Sequence, residues 1–133
     1  MTDDSADQLK PLLERLNVLI VEDEAIISFL IEDMLLELGC GSVVNVAGIL
    51  EAFSAIDEGR PDVAVLDVNL DGVEVYPVAE KLKAIGVPFL FTTGYGSEGL
   101  KPEWAKTPVV QKPFRADMLA KALLAILAGA QTG

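Results

Sequence analysis

Four places in this chain could do chemistry together. Glu22-Asp23-Glu24 follows the apolar run Val18-Leu19-Ile20-Val21, and Asp67 follows Val63-Ala64-Val65-Leu66. Thr93 closes the run that begins at Pro88, and Lys112 lies just beyond Val109-Val110. Continuous apolar runs of this length, bounded by turn residues, read as strands buried on both faces. In open α/β sheets ligands bind at the carboxyl ends of such strands. Two carboxylates about 5 Å apart repel by roughly 3 kcal/mol at an effective dielectric near 20, so a cation must offset them. An all-oxygen donor set points to Mg²⁺, which needs only one or two carboxylates and keeps several waters. With the Lys112 ammonium and the Thr93 hydroxyl holding phosphoryl oxygens, the Asp67 carboxylate could attack phosphorus. The product, an aspartyl phosphate, is a labile mixed anhydride suited to signalling. Each group taken alone has a plainer explanation: Asp23 as a helix cap, Thr93 as a turn hydroxyl, Lys112 as a surface lysine. Their common place at strand ends is the argument.

The elements that must position them alternate along the chain. Residues 1–16 form an extension with a short helix near Leu9, Leu12, Leu13 and Leu16. Residues 17–129 form one domain, and 130–133 are a tail. After the first strand, Ala25 to Leu38 reads as a helix with Ile27, Leu30, Ile31, Met34, Leu35 and Leu38 inward, stopped by Gly39. Ser42 to Val46 is the second strand. Gly48 to Glu58 is a helix with Leu50, Phe53, Ala55 and Ile56 inward. After the central strand, Pro77 opens a third helix. Beyond the fourth strand the stretch with Gly94, Gly96, Gly99 and Pro102 leaves room for only one or two turns. A short fifth strand at Val109-Val110 and a helix from Ala116 to Ala128 complete the chain. Five alternations with right-handed crossovers imply a doubly wound α/β fold. Its five-stranded parallel sheet takes the flavodoxin-like order 2-1-3-4-5. The switch point then falls between the strands that end in Asp23 and Asp67.

Composition removes other classes. The 133 residues carry a net charge of -11, which argues against nucleic acid and anionic membrane surfaces. The absence of histidine excludes His-based catalysis, His metal sites and a phosphohistidine stage on this chain. One cysteine, Cys40, allows no intrachain disulfide and fits a reducing, cytoplasmic compartment. No signal peptide or membrane-length apolar run is present.

These residues resemble a response-regulator receiver domain, the aspartate-phosphorylated module of two-component signalling, over about residues 17–128. The first strand with Glu22-Asp23 is similar to the family's acidic pair, and Asp67 falls at the phospho-acceptor position. The resemblance implies that the backbone carbonyl of Asn69 completes a Mg²⁺ site with Asp23 and Asp67. Glu22, longer than the commoner aspartate, would reach that ion directly or through water. It makes Thr93 the switch hydroxyl, followed by the small residue Gly94, and it makes Lys112-Pro113 the lysine with its usual cis-proline. Phe91-Thr92-Thr93-Gly94-Tyr95 is similar to the FAT GUY subgroup, with Thr92 in place of alanine. Val109 stands where most receivers carry an aromatic switch, which leaves Tyr95 as the ring expected to relay the signal.

The expectation is a single-domain response regulator, not an enzyme. It would accept a phosphoryl group on Asp67 from a histidine kinase and signal by contact with a downstream protein. One rival is a pseudo-receiver that binds partners without phosphorylation. A haloacid-dehalogenase-like phosphatase would need an acid where Asn69 stands. A flavin binder would need a hydroxyl- and Gly-rich loop where Glu22-Asp23-Glu24 stands.

Overall fold

The computed structural model describes residues 11, 13–94 and 100–129, with backbone to 132. The elements are β1 (Asn17–Val21), α1 (Ala25–Leu38), β2 (Ser42–Val46), α2 (Ile49–Glu58) and β3 (Val63–Asp67), followed by a small hairpin of β4 (Asn69–Leu70) and β5 (Val73–Glu74). Then come α3 (Tyr76–Ala84), β6 (Phe89–Thr93), a 3₁₀ turn (Pro102–Trp104), β7 (Val109–Gln111) and α4 (Ala116–Thr132). The main sheet runs β2-β1-β3-β6-β7, every pair parallel, which is the expected 2-1-3-4-5 order of a doubly wound α/β fold. Only the hairpin was not anticipated.

Strand alternation divides the core into two layers. Val18, Ile20, Val63, Val65, Leu90 and Val110 pack with Ile31 and Leu35 of α1 and with Leu119, Leu123 and Ile126 of α4. Leu19, Val21, Ala64, Leu66 and Phe91 face the other way, against Ala52 and Ile56 of α2 and Val78, Ala79 and Leu82 of α3. Each strand of the central pair is buried on both sides because helices cover both faces.

Two helix faces are narrower than the spacing suggested. Leu30 is 51% exposed and Leu50 is 80% exposed, although both were expected inward. On α1 the buried line is Ile31 and Leu35; Leu30 stands about 100° of helix rotation from Ile31 and lies on the shoulder. On α2 the buried line is Ala52 and Ile56, and Leu50 is about 200° away from Ala52. Gly39 ends α1 in the left-handed region at φ 104°, with its N–H returned to the last turn.

The amino-terminal helix expected from Leu9 falls partly outside the described residues. Residues 11, 13 and 14 are helical, and Leu13 and Leu16 are buried in the α1/α4 layer. The Leu13 carbonyl accepts the Gly41 N–H and the Leu16 carbonyl accepts the Ser42 N–H, each at 3.0 Å. A Cβ on Gly41 would sit 1.8 Å from the Glu14 carbonyl oxygen, so this approach requires glycine. None of the described helices is long and apolar enough to cross a membrane.

Candidate functional site

Sheet register assembles the site. Val21 of β1 pairs with Leu66 of β3, and Asp67 pairs with Thr92 of β6. Glu22, the next residue of β1, therefore comes level with Asp67. Glu22, Asp67, Thr92 and Lys112 each lie two residues beyond Ile20, Val65, Leu90 and Val110, which all belong to the α1/α4 layer. Alternation turns the four toward that same layer. The ladder continues past β7, with the Lys112 N–H donating to the Thr93 carbonyl at 2.8 Å.

Three carboxylates crowd this rim. One oxygen from each of Glu22, Asp23 and Asp67 lies within 4.8 Å of the others. Glu22 and Asp67 are buried and Asp23 is half-buried. Lys112 reaches across β6 and β3 to place its Nζ 2.6 Å from Glu22 Oε1 and 3.3 Å from Asp67 Oδ2. Burial pushes the Glu22 carboxyl up to about 7, against the pull of the Lys112 hydrogen bond and the Glu24 N–H, and Asp67 adds to the rise. Burial by itself would lower the Lys112 ammonium. The Glu22 hydrogen bond and the charges of Asp67 and Glu22 outweigh it and hold the ammonium above its ordinary value. One ammonium against three carboxylates leaves the cluster short of positive charge.

The turn after Asp67 is built for its place. Asp71 and Gly72 both take left-handed backbone, at φ 51° and φ 89°, which closes the β4–β5 hairpin in two residues. Asn69 Oδ1 accepts the Gly72 N–H at 2.7 Å, and the Asn69 N–H donates to Asp67 Oδ1 at 3.3 Å. The Asn69 peptide unit is thereby fixed at the edge of the cluster. The Asp71-Gly72 pair was the sequence signal for this hairpin, since both residues tolerate positive φ.

Of the groups singled out from the sequence, Asp67, Asp23, Glu22 and Lys112 come together, and Asn69 borders them. Thr93 is buried at the end of β6. Lys112-Pro113 is a cis peptide. Asp23 is not a helix cap: Glu24 holds the cap position of α1 with no side-chain bond, while Glu22 Oε2 accepts the Glu24 N–H at 3.1 Å. Tyr95 lies outside the described residues. Cys40 is buried, and burial raises its thiol, as suits a filler of the α1 end.

An aromatic group beside the site went unread in the sequence. Trp104 stacks on Tyr76 with ring centres 6.1 Å apart, and Phe89 and Phe91 meet the indole edge-to-face. The Lys101 N–H donates to the Tyr76 hydroxyl at 3.1 Å. Val109 packs against the same core layer. A lone Trp in a Gly- and Pro-rich stretch carries no periodicity to announce that it plugs the core.

Comparison with known proteins agrees with this geometry. Residues 18–124 match the family model described as the response regulator receiver domain. SdrG from Sphingomonas melonis Fr1 is similar at 41% identity and a TM-score of 0.77, covering 86% of this chain and 98% of its own. The BeF3-activated conformation of SdrG from Pseudomonas melonis Fr1 is similar at 42% identity and a TM-score of 0.74, covering 86% and 97%. The receiver domain of the PhyR response regulator from Erythrobacter litoralis aligns at 28% identity with a TM-score of 0.75, covering 84% and 89%. No curated protein matches the sequence.

Proposed function

The chain belongs to the response regulator receiver domain family, and from that premise we propose that it is a response regulator phosphorylated on Asp67 by a histidine kinase. The single observation that carries this reading is the buried Asp67 carboxylate at the switch point, with the Lys112 ammonium 3.3 Å away. In the transfer an Asp67 oxygen forms a bond to phosphorus as the bond from phosphorus to the donor's imidazole nitrogen breaks. The electron pair leaves with the imidazole. Lys112 holds a phosphoryl oxygen while charge moves, and burial of the cluster keeps competing water away. The Thr93 hydroxyl, at the end of the adjacent strand, takes another oxygen and carries the change into the segment that follows. Tyr95 follows two residues later in the sequence and is the ring we assign to the relay.

The donor set fits Mg²⁺: three carboxylates, a nearby peptide carbonyl, no sulfur or imidazole, and charge that one lysine does not balance. Asp23, Asp67 and the Asn69 carbonyl would hold the ion, with Glu22 direct or through water. Bound there, Mg²⁺ supplies neutralisation of the phosphoryl oxygens. The BeF3-activated form of the SdrG relative supports the reading, since trifluoroberyllate mimics a phosphoryl group on a carboxylate. A phosphatase of the dehalogenase kind is disfavoured, because Asn69 offers no acid and its side chain is occupied by Gly72.

The test is intact mass after treatment with a small phosphodonor and Mg²⁺. One phosphoryl adduct is expected on the wild type and none on Asp67→Asn. An adduct that survives in the variant places the acceptor elsewhere, and a wild type that takes none leaves the domain as a contact module independent of phosphorylation.

A further inference from the structure

Thr92 is fully buried, and its hydroxyl oxygen has no hydrogen-bond partner. A hydroxyl buried without a partner forfeits its hydration with nothing in return, a cost that valine, of the same shape, would not incur. Its position gives that hydroxyl a use. Thr92 pairs in register with Asp67, and alternation puts the two on one face of the sheet. Lys112 begins on the far side of β6 and spans that strand to reach Asp67 and Glu22. Thr92 therefore lies between the ammonium's own strand and the carboxylate it grips. Its neighbour Thr93 follows Phe91 in the alternation and so comes to the strand tip from the other side of the sheet. The two adjacent hydroxyls do not duplicate one another.

The free site accounts for both oxygens of Asp67: Oδ1 accepts from the Asn69 N–H and Oδ2 from Lys112. Once one oxygen is bonded to phosphorus, Lys112 is drawn to the phosphoryl dianion, and the acyl group keeps the Asn69 N–H as its described protein donor, with lone pairs free for a second. We propose that the Thr92 hydroxyl then donates to the Asp67 acyl phosphate at its carboxyl oxygen, and so speeds loss of the phosphoryl group to water. In that hydrolysis a water oxygen bonds to phosphorus and the bond from phosphorus to the Asp67 oxygen breaks. The electron pair stays on the Asp67 carboxylate, and both protons of the water leave with inorganic phosphate, as dihydrogen phosphate. Negative charge grows on the carboxyl group as the bond breaks, so a donor there stabilises the transition state more than the acyl phosphate. The inference rests on Asp67 being the acceptor and adds a residue that sets the lifetime of the modified state.

The experiment compares the wild type with Thr92→Val, Thr92→Ser and Thr92→Ala. Each protein is loaded with acetyl phosphate and Mg²⁺ and freed of donor, and its adduct is followed by intact mass while its unmodified form is melted. The expected result is one adduct on every protein and loss about five- to tenfold slower in Thr92→Val, the effect of one neutral hydrogen bond. Thr92→Ser should keep the wild-type rate, and free Thr92→Val should melt no lower than the wild type. That pairing separates a role in the reaction from one in packing. If Thr92→Val does not fold, Thr92→Ala carries the same comparison. Loss at the wild-type rate or faster in the variant lacking the hydroxyl, or failure of that variant alone to be modified, overturns the inference and leaves Asp67 as acceptor. No adduct on the wild type overturns both.

Discussion

Removing the charge of Glu22 should change how stability depends on pH, in the direction opposite to that of an ordinary salt-bridged acid. The carboxyl is ordinary in the unfolded chain, at 4.5, and burial raises it to about 7 in the fold. Between those values the folded state binds a proton that the unfolded state does not, so stability falls as pH rises. Below 4.5 both states are protonated and above about 7 both are ionised, so the dependence is confined to that window. At about 1.36 kcal/mol per pH unit the full drop is about 3 kcal/mol. Glu22→Gln cannot titrate and should lack this drop. Urea unfolding of both proteins from about pH 5 to about pH 8, with a chelator present, gives the difference directly; self-repulsion of the acidic chain cancels in that comparison. The wild type should lose ground to the variant by about 2–3 kcal/mol across the range. Saturating Mg²⁺ should flatten the slope, because the ion compensates the same charge. A difference that stays level, or moves in favour of the wild type as pH rises, would refute the claim that burial governs Glu22.

Mg²⁺ at about ten times its dissociation constant should stabilise the unphosphorylated protein by about 1.4 kcal/mol; Asp23→Ala should lose most of the resulting melting shift, and an undiminished shift would place the ion elsewhere. Gly41→Ala should destabilise the fold by about 1–3 kcal/mol, because the new methyl collides with the Glu14 carbonyl and the amino-terminal turn must back away; chemical denaturation with an unchanged midpoint would contradict that packing. Trp104→Phe keeps an aromatic plug but loses area against Tyr76, and should cost about 1 kcal/mol while leaving phosphorylation of Asp67 intact; a failure to accept phosphate would tie the indole to the site itself.

The parts legible in the sequence were those with a period or a terminus. Val18 to Val21 and Val63 to Leu66 announced buried strands, and parity within a parallel sheet carried their terminal carboxylates to one rim. Lys112 could be placed at the site because β7 is short and ends beside it. What escaped was set by tertiary contact. The Glu22–Lys112 pair joins residues 90 apart in sequence, and no local pattern says which acid the lysine prefers. Leu30 and Leu50 satisfy helical spacing yet stand outside the arcs that the sheet covers. Trp104 packs because Tyr76, Phe89 and Phe91 converge on it from α3 and β6, at separations of 13 to 28 residues that no helical or strand period spans.

The alternation of β6 has a further consequence. By alternation from Leu90 and Phe91, Thr92 turns to the layer of α1 and α4 and Thr93 to that of α2 and α3. On the reading of Asp67 as acceptor, a chemical event at the tip of this strand would bear on both packing layers of the sheet. With Asp67 as the acceptor, the lifetime of the modified state and the response of the segment after Thr93 would be open to separate substitution.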